Sequence, residues 1–457
     1  MLRVLAAGFL LLSTAAAAAP QKAKTAAPVE RVFREWLKAV NSGDAAPIKA
    51  FYARHFNDPN PMFVLETAED SCGFTVVKSQ RRSPTAMSVV LRERCLKGRQ
   101  RVDIEVAPED AKLKKLDLLP LAQPADRAVE AMVSIAERLA KRDGFAGSLI
   151  VARGGKASVA RSWGMADPAA RTPMTLDTPM FLASAGKMFT AVAALQLVDA
   201  GKIELDAPIG RYLTDYPNAE MARVTIRQLL SHRGGTGDIG ILAREDGANR
   251  ARVRTVADIV ALNGGRAPDF PPGTKADYSN YGFVLVGAVI EKATGGSYYD
   301  YVRKHVFEPA GMSRAGFPDK DHLGGVGVGY TTFFGAEPKL VSNIDVLPWR
   351  GSPAGGGVAS ANDLRRFFEA LNGGKLLSPA MLKLATTLGE TSWYGLGFVV
   401  QEDEHPHFGH GGTSYGMDVA AHYYPKDDIV FICTGARDFV CNRLMFAWHL
   451  RAFGPAE

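Results

Sequence analysis

A small α+β unit followed by a larger one is the fold class this sequence predicts, on three observations. Two helical stretches precede a run of strand-like segments near the N-terminus, a segregated order of the α+β kind. Antiparallel strand pairs then recur at both ends of the remaining chain, with helices between them, which implies one sheet closed by distant segments. The composition, 47% hydrophobic and 22% charged over 457 residues, is that of a globular protein. At roughly 150 residues per domain the length allows two or three units, each with its own core.

The elements follow in order. Val29, Phe33, Trp36, Leu37 and Val40 recur at helical spacing, Asn41-Ser42-Gly43 stops that helix, and Asp44 caps a second one bearing Ile48, Phe51 and Tyr52. Four strand-like runs come next, at Met62–Thr67, Phe74–Lys78, Ala86–Arg92 and Arg101–Val106, and Lys112 to Pro124 reads as a connector. Glu130–Lys141 is helical, and Ser148–Arg153 and Ala157–Trp163 form a hairpin around Gly154-Gly155. A second hairpin joins Asp418–Tyr424 to Ile429–Cys433, and Phe439 to Phe453 closes the chain as a helix. The expected division is a leader at 1–19, a small domain at 20–111, a linker at 112–124 and a large domain at 125–457. No fixed-period repeat is present, which excludes solenoids and propellers.

Met1-Leu2-Arg3, the apolar run Val4 to Leu12 and the small residues Ser13 to Ala19 have the pattern of a secretory leader cut near Ala18. The apolar stretch is too short for a mature span, and no Cys follows it to carry a lipid. The expectation is an exported soluble protein, periplasmic or secreted, with no stable membrane anchor. Export permits disulfides, and Cys72, Cys95, Cys433 and Cys441 allow three pairings, of which 72 with 95 and 433 with 441 are the most local. The net charge of +6, from 54 basic and 48 acidic residues, is dispersed, with no basic run that would act as a nucleic-acid arm.

The chemistry begins at Ser184-Ala185-Gly186-Lys187, which opens a strongly apolar helix running to about Ala200. Residues three apart share a helix face, so the hydroxyl and the amine are neighbours. The helix dipole favours a hydroxyl anion there, and the amine can take its proton if burial keeps that amine neutral. Tyr278-Ser279-Asn280 precedes the helix Tyr281–Lys292, and His410-Gly411-Gly412-Thr413 precedes the strand Asp418–Tyr424.

In this order and spacing the three segments resemble the Ser-x-x-Lys, Tyr-x-Asn and Lys/His-x-Gly motifs of serine β-lactamases and penicillin-binding proteins, most nearly the class C-like branch with its peptidases and esterases. Leu229-Leu230-Ser231-His232, Ala354-Gly355-Gly356-Gly357 and Tyr394-Gly395-Leu396-Gly397-Phe398 extend the likeness over Phe145 to Phe453. The resemblance implies a β-lactamase-like fold, an antiparallel sheet flanked by helices with a helical subdomain. It implies Ser184 as nucleophile, Lys187 sharing its proton, Tyr278 as base and then acid, and Asn280 holding substrate or Lys187. His410 would lie beside Tyr278 and Ser184, and the backbone amides of Ser184 and Thr413 would form an oxyanion hole. Gly411 and Gly412 would border the substrate, and no cofactor is implied. The first unit also resembles NTF2-like domains in Phe33-x-x-Trp36-Leu37 and Asn41-Ser42-Gly43-Asp44.

Two departures bear on substrate. His410 stands where β-lactamases carry lysine and Gly411 where they carry Thr or Ser, so the fixed cation for a substrate carboxylate is missing. Small esters and D-amino-acid peptides are therefore the expected substrates; β-lactam hydrolysis, or a capturing site without turnover, are the alternatives. Arg233 is a candidate for a substrate carboxylate, with a surface ion pair as its plainer role. His405, His407 and His410 lack the acidic or Cys partners of a zinc site, so no metal is expected. Gly324 to Gly329 lacks the flanking strand and helix of a phosphate loop, and Asp238, Glu245 and Asp246 make a poor glycosidase pair.

Overall fold

The computed structural model describes residues 27–56, 61–239, 253–333 and 339–457; the expected leader, Glu245 and Asp246 lie outside them. The chain divides into two compact units, the first ending at Leu118 and the second taking in Leu96–Gly98 as well as Leu119–Glu457. In the first, helices α1 (Pro28–Val40), α2 (Ala45–His55) and α3 (Met62–Ser71) precede strands β1 (Phe74–Arg81), β2 (Ala86–Glu93), β3 (Arg99–Val106) and β4 (Leu113–Pro120). The strands form one sheet in the order β1-β2-β3-β4. Trp36 is fully buried and stacks on Phe74, with ring centroids 6.4 Å apart.

Two expectations fail here. Met62–Thr67 is helical: Val64, Thr67, Ala68 and Ser71 are buried at helical spacing, with Asp70 buried beside them, while Met62 and Phe63 are exposed. The fourth strand comes instead from the expected connector, where Leu113 and Leu118 join the core of the first unit and Lys114 and Lys115 are exposed. Of the possible disulfides the two local ones form, Cys72–Cys95 and Cys433–Cys441.

The second unit is built on a six-stranded antiparallel sheet. Its strands are β5 (Gly147–Arg153), β6 (Lys156–Trp163), β7 (Val399–Gln401), β8 (His407–Ser414), β9 (Met417–Tyr424) and β10 (Ile429–Gly435), in the order β7-β8-β9-β10-β5-β6. Side chains on a strand alternate between faces, and each face has its own core. Leu149, Val151, Phe431 and Cys433 pack with helix α4 (Ala125–Asp143) and the C-terminal helix (Val440–Phe453). Ile150, Ala152, Val419, Ala421 and Ile432 pack into the larger helical core, with Met188, Phe189 and Leu195 of α5 (Lys187–Asp199) and Val286 of α6 (Asn280–Thr294). Apolar side chains around the whole of α5 are what a helix at the centre of that core requires.

One feature of the sheet positions the site. Strand β7 pairs with β8 only from His407 to Gly409, so beyond Gly409 that edge of β8 has no strand neighbour among the described residues. The turn carrying Ser184 lies against it: a Cβ added to Gly412 would meet the Leu182 carbonyl oxygen at 2.1 Å and the Ser184 nitrogen at 2.9 Å.

Candidate active site

Ser184 lies in a 3-10 turn (Ala183–Gly186) that runs directly into α5, whose first residue is Lys187. Ala183 has φ 43°, a left-handed conformation uncommon for a residue with a side chain. Its carbonyl accepts the Gly356 amide at 3.0 Å. Gly355, at φ +139°, passes so close that a Cβ there would lie 2.2 Å from that same carbonyl oxygen. The glycines after Ala354 are thus required by backbone packing against the nucleophile turn.

Lys187 is fully buried. Its Nζ donates to Asn280 Oδ1 at 2.6 Å and to the Ala354 carbonyl at 2.7 Å, and lies 3.3 Å from Ser184 Oγ. Burial pulls the ammonium down to about 7, opposed by the carboxylate of Asp238. Asn280, at the start of α6, receives Lys187 on Oδ1 and donates through Nδ2 to Asp238 Oδ1 at 2.8 Å. Its amide orientation follows, since only the oxygen can accept from an amine.

Tyr278 is held by His232. The Asp277 amide donates to the His232 carbonyl at 2.9 Å and the Ser279 amide to His232 Nδ1 at 3.1 Å, so the histidine grips both neighbours of the tyrosine. Its ring lies 4.3 Å from the Tyr278 ring and stacks on Trp393. Burial, with Lys187 and His410 nearby, holds the His232 imidazole well below its ordinary range. The Tyr278 hydroxyl is hydrogen-bonded to Ser184, while burial pushes its pKa up to about 12. Lys187 Nζ sits 4.7 Å from the centre of the tyrosine ring. The phenol is therefore a proton donor at neutral pH, and the amine is the stronger candidate base.

His410 is 4% exposed, and its bonds lead away from the nucleophile. Nδ1 meets the Gly411 carbonyl and so carries the proton; Nε2 therefore accepts from the Tyr394 hydroxyl at 2.9 Å. Burial drives this imidazole down to about 3, so it is neutral. Thr413 Oγ1 donates to Asp418 at 2.5 Å, and Asn442 donates to the same carboxylate through Nδ2 at 2.7 Å and its amide at 3.0 Å. Asp418 thereby ties the end of β8 to the C-terminal helix, and burial raises its pKa to about 6.

Ser184, Tyr278 and Thr413 stand where two cavities meet. One, of about 340 Å³, is bordered by Asp238, Asn280 and Gly355; the other, of about 620 Å³, by His410, Gly411, Gly412 and Asn442. Arg233 borders neither, pairing with Glu390 and donating to the Gly273 carbonyl. His405 binds Asp427 at 3.0 Å, and among the described residues no cluster of His, Cys, Asp or Glu has the arrangement of a metal site. Gly327 and Gly329 are wedged against Met180 and Asn343.

Sequence reasoning missed Asp238, weighed only with Glu245 and Asp246, and the positioning parts played by His232 and Tyr394. A lone acid in a glycine-rich loop carries no periodic signal. His232 and Tyr394 stand in the noted Leu-Leu-Ser-His and Tyr-Gly-Leu-Gly-Phe segments, which offered a place without a role.

A model of the beta-lactamase family matches residues 133–438. A penicillin-binding protein of Bacillus subtilis (strain 168) is 29% identical over 282 residues, covering 58% of this chain and 62% of that protein. A D-aminopeptidase of Brucella anthropi is 33% identical over 173 residues, or 38% of this chain and 32% of the relative. The chain thus spans less than two thirds of the length of these two curated relatives. A solved penicillin binding protein from Bacillus halodurans superposes with a TM-score of 0.62 at 26% identity, over 68% of this chain and 98% of the other.

Proposed function

This chain belongs to the beta-lactamase family, and on that premise we propose that it is a serine hydrolase forming an acyl-enzyme on Ser184, acting on small esters or D-amino-acid peptides. The observation that carries the proposal is the buried Lys187 amine, pulled down to about 7 and placed 3.3 Å from Ser184 Oγ. Neutral Lys187 takes the Ser184 proton as Oγ attacks the substrate carbonyl carbon. The amides of Ser184 and Thr413, the latter at the open end of β8, receive the charge on the carbonyl oxygen, a contribution of about 3–4 kcal/mol per donor. Tyr278, still protonated, donates to the leaving oxygen or nitrogen, and the proton on Lys187 restores the phenol. Water then enters, and the steps reverse to free the acid. Asn280 and the Ala354 carbonyl keep the amine aimed.

His410 supports esters and peptides over β-lactams. It is neutral and bonded to Tyr394, so it supplies no cation for the carboxylate of a penicillin. Two formed disulfides support export to an oxidising compartment. None of the described helices is long and apolar enough to cross a membrane.

The test is intact mass after incubation with a p-nitrophenyl ester and, separately, with a simple penicillin. Ester turnover is expected in the wild type and its loss in a folded Ser184→Ala variant; substantial residual turnover would overturn the nucleophile. A penicillin adduct that decays quickly would move the reading to a β-lactamase, and one that persists without ester turnover would move it to a capturing site.

A further inference from the structure

The two cavities that meet at Ser184 carry different charge. Among the described residues around the larger one there is no lysine or arginine; Asp403 is its acid, and burial lowers the pKa values of His407, His410, His422 and His449, leaving them neutral. Around the 340 Å³ cavity stand Arg254 and Arg350, with Asp238 the only acid among the described residues that line it. Asp238 Oδ1 is already engaged by Asn280 at 2.8 Å and by the Ile239 amide at 2.7 Å, and its charge faces Lys187. The side chains lining this cavity thus carry two cations against one engaged carboxylate.

Both guanidiniums lie over aromatic rings. Arg254 lies 4.2 Å from the centre of the Trp349 ring; Arg350 lies 5.1 Å from the same ring and 5.0 Å from that of Tyr299. Tyr299 is itself fixed by its hydroxyl, which donates to the Gly351 carbonyl at 3.0 Å. Stacking uses the π-face of a guanidinium and leaves its in-plane N–H groups free. Asp258 and Asp319 are the carboxylates whose charge Arg254 and Arg350 respectively face, neither of them lining the cavity, and Arg350 Nε, shielded from solvent, meets no acceptor among the described residues. Two guanidiniums lining the same cavity as the nucleophile offer planar donors of the kind that bind a carboxylate bidentately.

We propose that Arg254 and Arg350 form a carboxylate-binding subsite, so that the substrate portion entering this cavity carries an anionic group. The proposal rests on the hydrolase reading and adds the substrate's charge to it. It also places the carboxylate-binding cation on the opposite side of Ser184 from His410, where the sequence lacks one.

The experiment compares kcat/KM for two matched pairs, p-nitrophenyl hexanoate with p-nitrophenyl hemiadipate, and phenyl hexanoate with its 3-carboxyphenyl analogue. One pair puts the charge in the acyl half and the other in the alcohol half. The wild type is expected to favour the anionic member of one pair at least tenfold, mostly through KM. The double variant Arg254→Gln/Arg350→Gln should lose that preference about tenfold, and salt should weaken it in the wild type. Calorimetry of adipate monoamide with the Ser184→Ala protein reads the subsite without turnover. Binding that the two Arg→Gln changes weaken, in a protein that hydrolyses nothing, would sink the hydrolase reading and keep the subsite. Equal kcat/KM within both pairs, a preference surviving the double variant, or no binding of the monoamide would each overturn the subsite.

Discussion

Replacing Asp238 by asparagine should move the acid limb of the pH–rate profile to lower pH. The carboxylate reaches Lys187 through Asn280, across hydrogen bonds of 2.8 and 2.6 Å. Those two bonds and the amide between them put the charges roughly 7 Å apart, and at an effective dielectric of about 20 their attraction is about 2.4 kcal/mol. At about 1.4 kcal/mol per unit, losing it lowers the lysine pKa by about 1.7 units. The sign follows from the base role. Lys187 must be neutral to accept the Ser184 proton, so the wild-type kcat/KM should rise with pH through about 7. Without the carboxylate the ammonium is less favoured, and the neutral amine persists to about pH 5.3. Asparagine keeps an oxygen to accept from Asn280 Nδ2, so the amide chain survives while the charge goes. The assay is the rate of p-nitrophenol release from a neutral ester at limiting substrate, from pH 4.5 to 9. A limb that stays in place or moves upward would refute the charge relay from Asp238, and a wild-type limb far from 7 would refute Lys187 as the titrating base.

Two further changes probe the remaining parts. Tyr278→Phe removes the acid while leaving the ring against His232, and kcat for a poor leaving group should fall about 100-fold with KM little changed. A p-nitrophenyl ester should suffer less, because its leaving group scarcely needs a proton; equal losses on both esters would argue against the acid role. Gly412→Ala drives a methyl against the Leu182 carbonyl at 2.1 Å and the Ser184 amide at 2.9 Å, pushing β8 off the nucleophile turn. Overpacking of this kind costs about 1–3 kcal/mol in stability. The loss in kcat should be larger, near 100-fold, because the displaced strand also carries an oxyanion donor; thermal unfolding and turnover on the same sample separate the two.

How much of this was legible in the sequence depended on the range of each interaction. Ser184 and Lys187 meet because a helix turn places residues three apart on one face, a local fact that the Ser-x-x-Lys spacing states outright. The two hairpins of the second unit were readable for the same reason: strand-like runs joined by Gly154-Gly155 or Pro425 to Asp428 need only neighbours. Met62–Thr67 was misread because its β-favouring composition is overridden by the burial of Val64 and Ala68 on one helical face. The strand Leu113–Pro120 was hidden by its lysines and by Pro120, which suit a sheet edge as well as a linker. Asp238, Arg254 and Arg350 gather around Ser184 only through the fold of the helical region, and no spacing rule links them to position 184.

The three partners of Lys187 explain why a buried amine can serve both protonation states. As an ammonium it has three donors, and Asn280 Oδ1, the Ala354 carbonyl and Ser184 Oγ supply three acceptors. As a neutral amine it keeps two donors and gains a lone pair, so one partner must reverse its role. Neither the carbonyl of Ala354 nor the oxygen of Asn280, whose Nδ2 is committed to Asp238, has a hydrogen to give. Ser184 alone does. Its contact is also the longest, 3.3 Å against 2.6 and 2.7 Å. The two short bonds hold the amine on acceptors that cannot change, which leaves its lone pair aimed at the one hydroxyl that must lose a proton. In this arrangement the burial that lowers the lysine pKa and the acceptors that orient its lone pair act together on Ser184.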